Sequence, residues 1–268
     1  MMDIIRERRS VRTFDGKNIS DDEAVKILEF AQKVENPYDI GITWKILDAK
    51  KEGLSSAVIA GTNTYIAGKL LRVPHAEEAF GYSFEKVVLF AKSLGIGTTM
   101  IGGTMNRSAF ERAMNISGQE FLPCVSPLGY PAKKMSFKET MMRKGIKADT
   151  RFDFGEVFFD GSFDNPLSES KAGKLCEAFE AVRLAPSAVN KQPWRLVLCD
   201  GKVHFYEKRS KGFASGDGSD MQKIDMGIAL CHFEVVAMEL GVSVLLKIED
   251  PGLEIKNDMV YIASFDIG

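Results

Sequence analysis

Apolar side chains recur at helical spacing along much of the chain, and short apolar runs separate those stretches. Ser20-Asp21-Asp22-Glu23 reads as a capping box, with Ser20 at the N-cap and Glu23 reaching back. Ala24, Ile27, Leu28, Ala31 and Val34 then follow with a helical period until Asn36-Pro37 stops them. A second helix is predicted through Phe84, Val87, Val88, Ala91 and Leu94, ending at Gly95, and a shorter one over 105–114. Leu175, Ala178, Phe179 and Val182 mark another. Ile224, Ile228, Cys231, Val235 and Met238 mark a long one that ends at Leu240-Gly241. Strands are predicted at 42–47 around Trp44, at 124–128, at 242–248 and at 259–265. A hairpin is predicted from 194–199 and 203–206, joined by the turn pair Asp200-Gly201. The polar, lysine-rich stretch 132–151 is read as a linker or long crossover between two halves.

The halves resemble each other. Trp44-Lys45-Ile46-Leu47 matches Trp194-Arg195-Leu196-Val197, and these are the only two tryptophans. Each tryptophan is followed by a helix ending in Leu-Gly, after 51 positions in one half and 47 in the other. Such short matches also arise by chance, but the preceding helix and strand fall in the same order, which favours a degenerate repeat. The predicted fold is α+β: mixed, mainly antiparallel sheets with packed helices, in two pseudo-repeated halves, 1–150 and 151–268.

Composition narrows the chemistry. The chain has 268 residues, 45% apolar and 27% charged, enough for a sizeable core. A net charge of −2 argues against a nucleic-acid-binding domain. No apolar run reaches a membrane span, and the first seven residues are too charged for a signal peptide. Cys124, Cys176, Cys199 and Cys231 form no C-x-x-C pair and read as reduced thiols, so the expected compartment is the cytoplasm. His75, His204 and His232 have no metal spacing, and His204 and His232 read as core or surface residues. Met135, Met141 and Met142 read as a flexible packing surface, Lys133-Lys134 as a solvated connector, and Gly216-Asp217-Gly218-Ser219-Asp220 as a loop without a phosphate-binding lysine.

Two segments remain. Arg8-Arg9-Ser10-Val11-Arg12-Thr13-Phe14 puts three guanidiniums and a hydroxyl within five positions. A solvated charged start is the better explanation for the segment taken alone. Bidentate guanidiniums also suit a phosphate. Ala185-Pro186-Ser187-Ala188-Val189-Asn190-Lys191-Gln192-Pro193-Trp194 sets Ser187, Asn190 and Gln192 between two prolines. It is either a polar loop at a strand entry or a stiff loop that reads the polar edge of a planar ligand.

The chain resembles the nitroreductase-like flavoprotein family. Residues 8–14 match its R-[RH]-S-x-[RK]-x-F opening and 185–194 its A-P-S-x-x-N-x-Q-P-W turn. Gly95-Ile96-Gly97-Thr98-Thr99-Met100-Ile101-Gly102-Gly103 matches its glycine loop, and Pro127-Leu128-Gly129-Tyr130-Pro131 its P-L-G-Y-P segment. Ordinary members carry all four segments in one short subunit and build two flavin sites per dimer. Here Val34-Glu35-Asn36-Pro37-Tyr38-Asp39 stands where the first half would carry the APS turn, and the second half lacks the arginine segment. The resemblance therefore implies a fused pseudo-dimer that clamps one FMN from two sides.

It also implies roles. Arg8, Arg9 and Ser10 would hold the FMN phosphate and ribityl chain, and Arg12 would sit beside N1 and the C2 carbonyl. The backbone of Thr99, Met100, Ile101, Gly102 and Gly103 would face N5 and O4. Pro186, Ser187, Ala188 and Asn190 would line the other side of the ring. Arg151 is the first choice for a further phosphate contact, with Arg143 or Lys144 as the alternative. The implied function is an FMN-dependent oxidoreductase passing hydride from NADH or NADPH to a nitroaromatic, quinone or similar small-molecule acceptor, with no separate catalytic side chain and no metal. The alternatives are a flavin carrier or redox sensor without turnover, or another flavin reaction such as reductive dehalogenation or flavin breakdown. Neither nucleic acid nor membrane is expected as a partner. A monomer is plausible on this reading, and a homodimer remains open.

Overall fold

Ser20 caps its helix as its spacing from Glu23 predicts. Its Oγ accepts from the Glu23 N–H (3.2 Å) and Glu23 Oε2 accepts from the Ser20 N–H (2.8 Å), opening the Asp21–Lys33 helix. The computed structural model describes residues 1–213, 219–256 and 258–268. The Gly216-Asp217-Gly218 part of the expected 216–220 loop lies outside them. Contacts divide the chain into two units, Glu7–Ala148 and Met1–Arg6 with Asp149–Gly268.

In the first unit, β1 (Thr43–Asp48) pairs antiparallel with β2 (Thr64–Leu71). β2 also pairs antiparallel with β3 (Glu120–Phe121) and β4 (Val125–Leu128). Trp44 explains the β1–β2 register. It sits opposite Gly68, and a Cβ on Gly68 would come within 2.6 Å of its ring. The ring also stacks on Phe80 and Phe84 of the Ala76–Ser93 helix, with centroids 5.8 and 5.4 Å away. On the remaining side Leu47, Tyr65, Phe110, Leu122 and Val125 form a core cluster.

In the second unit six strands run in the order β6 (Ser162–Pro166), β5 (Phe158–Asp160), β7 (Trp194–Cys199), β8 (Lys202–Lys208), β10 (Met259–Ile267), β9 (Val244–Lys247). Only β5 and β7 are parallel. The β7–β8 hairpin turns on Asp200 and Gly201, both left-handed (φ 50° and 72°), as a type I′ turn needs. The Met221–Glu239 helix is apolar on most of its circumference and is correspondingly buried. Its Phe233 packs against Phe179, Phe205 and Phe265 with centroids 5.4–5.6 Å apart.

The Leu-Gly ends are alike in each unit. Gly95 and Gly241 are left-handed, and the next N–H reaches back to Ala91 (3.0 Å) or Ala237 (3.0 Å), the Schellman pattern. The α+β class with mainly antiparallel sheets is as expected. Several elements differ. The stretch 132–151 is no plain linker, because it holds the Phe137–Gly145 helix. Strands β2, β3, β5 and β6 are additions to the predicted set, and the helix expected over 105–114 is Arg107–Ala113. No helix among the described residues is long and apolar enough to cross a membrane.

Gly61 has φ +87°, and a Cβ there would collide with the Phe14 carbonyl oxygen. Gly61→Ala should lose about 3 kcal/mol of stability in urea denaturation, whereas Gly103→Ala, with nothing within 4 Å of the added carbon, should stay within about 0.5 kcal/mol. Glu234 gives a pH signature. Burial raises its pKa to about 7 from 4.5. The folded state then holds a proton that the unfolded state releases, so stability falls as pH rises from 4.5 through 7. Glu234→Gln should match wild type near pH 4 and exceed it at pH 8 by about 1–2 kcal/mol, allowing for partial exposure. Equal stability at pH 8 contradicts the buried-acid account.

Candidate functional site

Residues 8–14 form an extended strip stitched into the first unit. The Val11 N–H donates to Thr98 O (2.9 Å), Ala60 N–H to Arg12 O (3.0 Å) and Phe14 N–H to Ala60 O (2.9 Å). Asp15 N–H donates to Tyr130 O (3.0 Å), and Ala132 N–H to Thr13 O (3.1 Å). Gly97 N–H donates to Gly129 O (2.7 Å), which joins the glycine loop to the P-L-G-Y-P segment. Three of the four segments singled out in the sequence therefore meet. Glycines permit the approach: a Cβ on Gly97 would lie 2.9 Å from Val11 Cγ2, and one on Gly129 2.8 Å from Phe14 Cδ1.

Four arginines share this region. Arg8 is largely buried, with Nε 3.8 Å from Glu85 of the Ala76–Ser93 helix. Arg9 Nη1 lies 3.6 Å from Glu139 Oε1, and the Arg12 N–H donates to that same oxygen (3.3 Å). Burial lowers the pKa of Arg8, and Glu85 opposes the shift. Burial likewise lowers that of Arg12, and Glu139 opposes it. Arg143 lowers both further, which places its guanidinium in the field of Arg8 and Arg12. Arg8 Nε and Arg9 Nη1 are buried without a hydrogen-bond acceptor among the described residues. Both side chains line a pocket of about 80 Å³ with Lys92, Gly97 and Thr98. That volume suits a small anion and is far below a whole flavin.

The glycine loop is partly committed within the unit. Thr99 N–H donates to Ser126 Oγ (3.0 Å), and Ile101 exchanges backbone bonds with Val125 (2.8 and 3.0 Å). The amides of Met100, Gly102 and Gly103 make no hydrogen bond to the described residues. Only these three could donate to a ligand without rearrangement.

The 185–194 turn belongs to the second unit, and its polar side chains hold the turn itself. Ser187 Oγ accepts from Gln192 N–H (2.8 Å), and Gln192 Oε1 accepts from Phe152 N–H (3.1 Å). Asn190 Nδ2 donates to Thr150 O (3.0 Å). Arg151 donates to Thr150 O (2.8 Å), Asn190 Oδ1 (3.3 Å) and Leu184 O (3.3 Å). Ser187, Asn190 and Gln192 thus brace the turn. They support three left-handed non-glycine residues, Val189 (φ 43°), Asn190 (φ 58°) and Gln192 (φ 49°), a strained arrangement for a β-branched valine. Asp225, buried on the Met221–Glu239 helix, accepts the Ala188 N–H on both oxygens (3.0 Å each). Its pKa is pushed well up by burial.

Residues 1–237 match the protein family described as "Putative TM nitroreductase". The chain belongs to this nitroreductase family. The fold agrees with the crystal structure of a "putative nitroreductase" from Thermotoga maritima MSB8, at TM-score 0.63 and 18% identity, covering 99% of this chain and 93% of that one. An FMN-dependent nitroreductase from Clostridium difficile R20291 aligns at TM-score 0.44 and 14% identity over 51% of this chain and 90% of its own. An iodotyrosine deiodinase bound to FMN and 3-iodo-L-tyrosine aligns at 0.42 and 14%, over 51% and 92%. No curated protein matches the chain.

For this nitroreductase-family chain, sequence reading missed Glu85 and Glu139. The first falls within an apolar helical run. The second sits three residues after Ser136 in an S-x-x-E signature that could have revealed its helix, since Ser136 Oγ accepts the Glu139 N–H (3.1 Å). His204 and His232 are core residues, bonded to Ser264 Oγ (2.7 Å) and Ala181 O (2.8 Å). Among the described residues no cluster of His, Cys, Asp or Glu could hold a metal.

Because Arg8 and Glu85 are a buried pair, removing one partner strands the other. Glu85→Ala should cost about 3–5 kcal/mol in chemical denaturation. A loss below 1 kcal/mol contradicts that pairing.

Proposed function

We propose that this chain is an FMN-dependent oxidoreductase that takes hydride from NADH or NADPH and passes electrons to a nitroaromatic, quinone or similar acceptor. The observation that carries the reading is the arginine strip: among the described residues, buried nitrogens of Arg8 and Arg9 lack hydrogen-bond acceptors, and both side chains line an anion-sized pocket with Glu7 and Lys92. Guanidinium nitrogens left without acceptors suit the oxygens of a phosphate monoester. The family supports the choice of flavin mononucleotide as its bearer.

Bound FMN would supply the two-electron chemistry, taking hydride at N5. The chain's residues bind and orient. Arg8, Arg9 and Ser10 hold the phosphate and ribityl chain, and Arg143 joins them at the phosphate. Arg151 stays the alternative in that role, and Arg143 is preferred because its charge acts on both Arg8 and Arg12. Arg12 sets a cation beside the ring. The amides of Met100, Gly102 and Gly103 face its N5 edge, while Thr99 and Ile101 fix the loop through Ser126 and Val125. The roles of Pro186, Ser187, Ala188 and Asn190 at the ring rest on their motif alone. One FMN per chain, derivation from a fused dimer, and a cytoplasmic protein that works as a monomer complete the proposal.

Purified protein should show a flavin spectrum at about one FMN per chain, bleached anaerobically by NADH or NADPH on a turnover timescale. A colourless protein that takes up no FMN overturns the reading, and bound FMN that neither nicotinamide reduces favours a carrier or sensor. Arg143→Ala should cut the preference for FMN over riboflavin about tenfold or more, and Arg151→Ala should leave it unchanged. The reverse result returns the phosphate role to Arg151.

A further inference from the structure

Glu139 is 3% exposed, sits among arginines and is only half used. Oε1 accepts the Arg12 N–H (3.3 Å) and faces Arg9 Nη1 at 3.6 Å, beyond hydrogen-bond reach. Oε2 is buried with no donor, and Arg9 Nη1 is buried with no acceptor. Orphaned buried groups of this kind carry an uncompensated desolvation penalty, larger when they are charged. An orphan donor and an orphan acceptor on one ion pair are complementary to a group that both accepts and donates. A phosphate dianion can only accept. It would satisfy Arg9 and be repelled by Glu139. A hydroxyl does both, taking a hydrogen bond from the guanidinium and giving its own proton to the carboxylate.

We propose that Glu139 and Arg9 form a hydroxyl-binding pair that holds the polyol chain of the flavin cofactor. The inference rests on the FMN reading above and adds to it a residue and an atom-level role. The geometry of the Phe137–Gly145 helix is suited to this task. Ser136 fixes its first turn through the Glu139 N–H (3.1 Å), and Ser136 is itself tied to the strip, its N–H donating to Thr13 Oγ1 (3.1 Å). Glu139 is thereby locked against residues 9–12 by its own backbone, so its carboxylate is preorganised to receive a donor. The negative charge also excludes a second phosphate from this position, which keeps the anion at Arg8 and Arg143 and makes the two ends of the cofactor's side chain chemically distinct.

The test compares three flavins that share the ring: FMN, riboflavin and lumiflavin, which lacks the polyol. Dissociation constants come from quenching of flavin fluorescence with the full-length protein. Glu139→Gln keeps an acceptor for the Arg12 N–H and replaces the orphan acceptor with a donor. It should weaken riboflavin about tenfold to a hundredfold and leave lumiflavin unchanged. Arg9→Gln, at a partly exposed site, should give the same selective loss for riboflavin. If either variant weakens riboflavin and lumiflavin equally, or weakens neither, the hydroxyl role is overturned while FMN binding stands. If wild type binds none of the three, the FMN reading itself falls.

Discussion

Residues 8–14 are bonded through their backbone to three different loops, and the site depends on that stitching. The strip has no helix or sheet of its own. Its order comes from Thr98, Ala60, Tyr130 and Ala132, each far away in sequence. Val11 and Phe14 press into the space left by Gly97, Gly129 and Gly61, and this fixes the intervening arginines. A guanidinium on a mobile segment would pair with water. These are held where burial strips that water away, so each needs a carboxylate or a ligand nearby. Glu85 and Glu139 meet part of that need, and Arg8 Nε and Arg9 Nη1 still lack acceptors among the described residues.

Much of this was legible in the sequence, and the physical reason is that the legible parts are local. The Ser20–Glu23 box, the Asp200-Gly201 turn and the Leu-Gly helix ends are each decided within a few residues. Arg8, Arg9 and Arg12 could be recognised because their types and spacing are themselves the signal. Partners were not legible. Nothing in the residues around Glu85 or Glu139 announces that an arginine dozens of positions away will sit beside them. The Phe137–Gly145 helix escaped because it lacks an apolar stripe: Phe137 and Met141 are exposed, and its inward residue is the charged Glu139. β5 and β6 escaped because they are short and their register is irregular.

The 185–194 turn has a structural side that its motif does not announce: its serine, asparagine and glutamine brace it. Each bonds to a neighbouring backbone or side chain and so maintains left-handed geometry at Val189, Asn190 and Gln192. The turn leaves Val189 and Lys191 exposed. Strain of this kind persists only where surrounding structure over-determines it, and Asp225 and Arg151 are the residues that do so.

The central claim is that the arginine strip is a phosphate site. A crystal structure of the protein with FMN tests it most directly. The account predicts the phosphate within hydrogen-bonding distance of Arg8 and Arg143 guanidinium nitrogens, with Arg151 still bonded to Thr150 and Leu184. A phosphate held by Arg151 or Lys144, with Arg8 and Arg143 untouched, would contradict it.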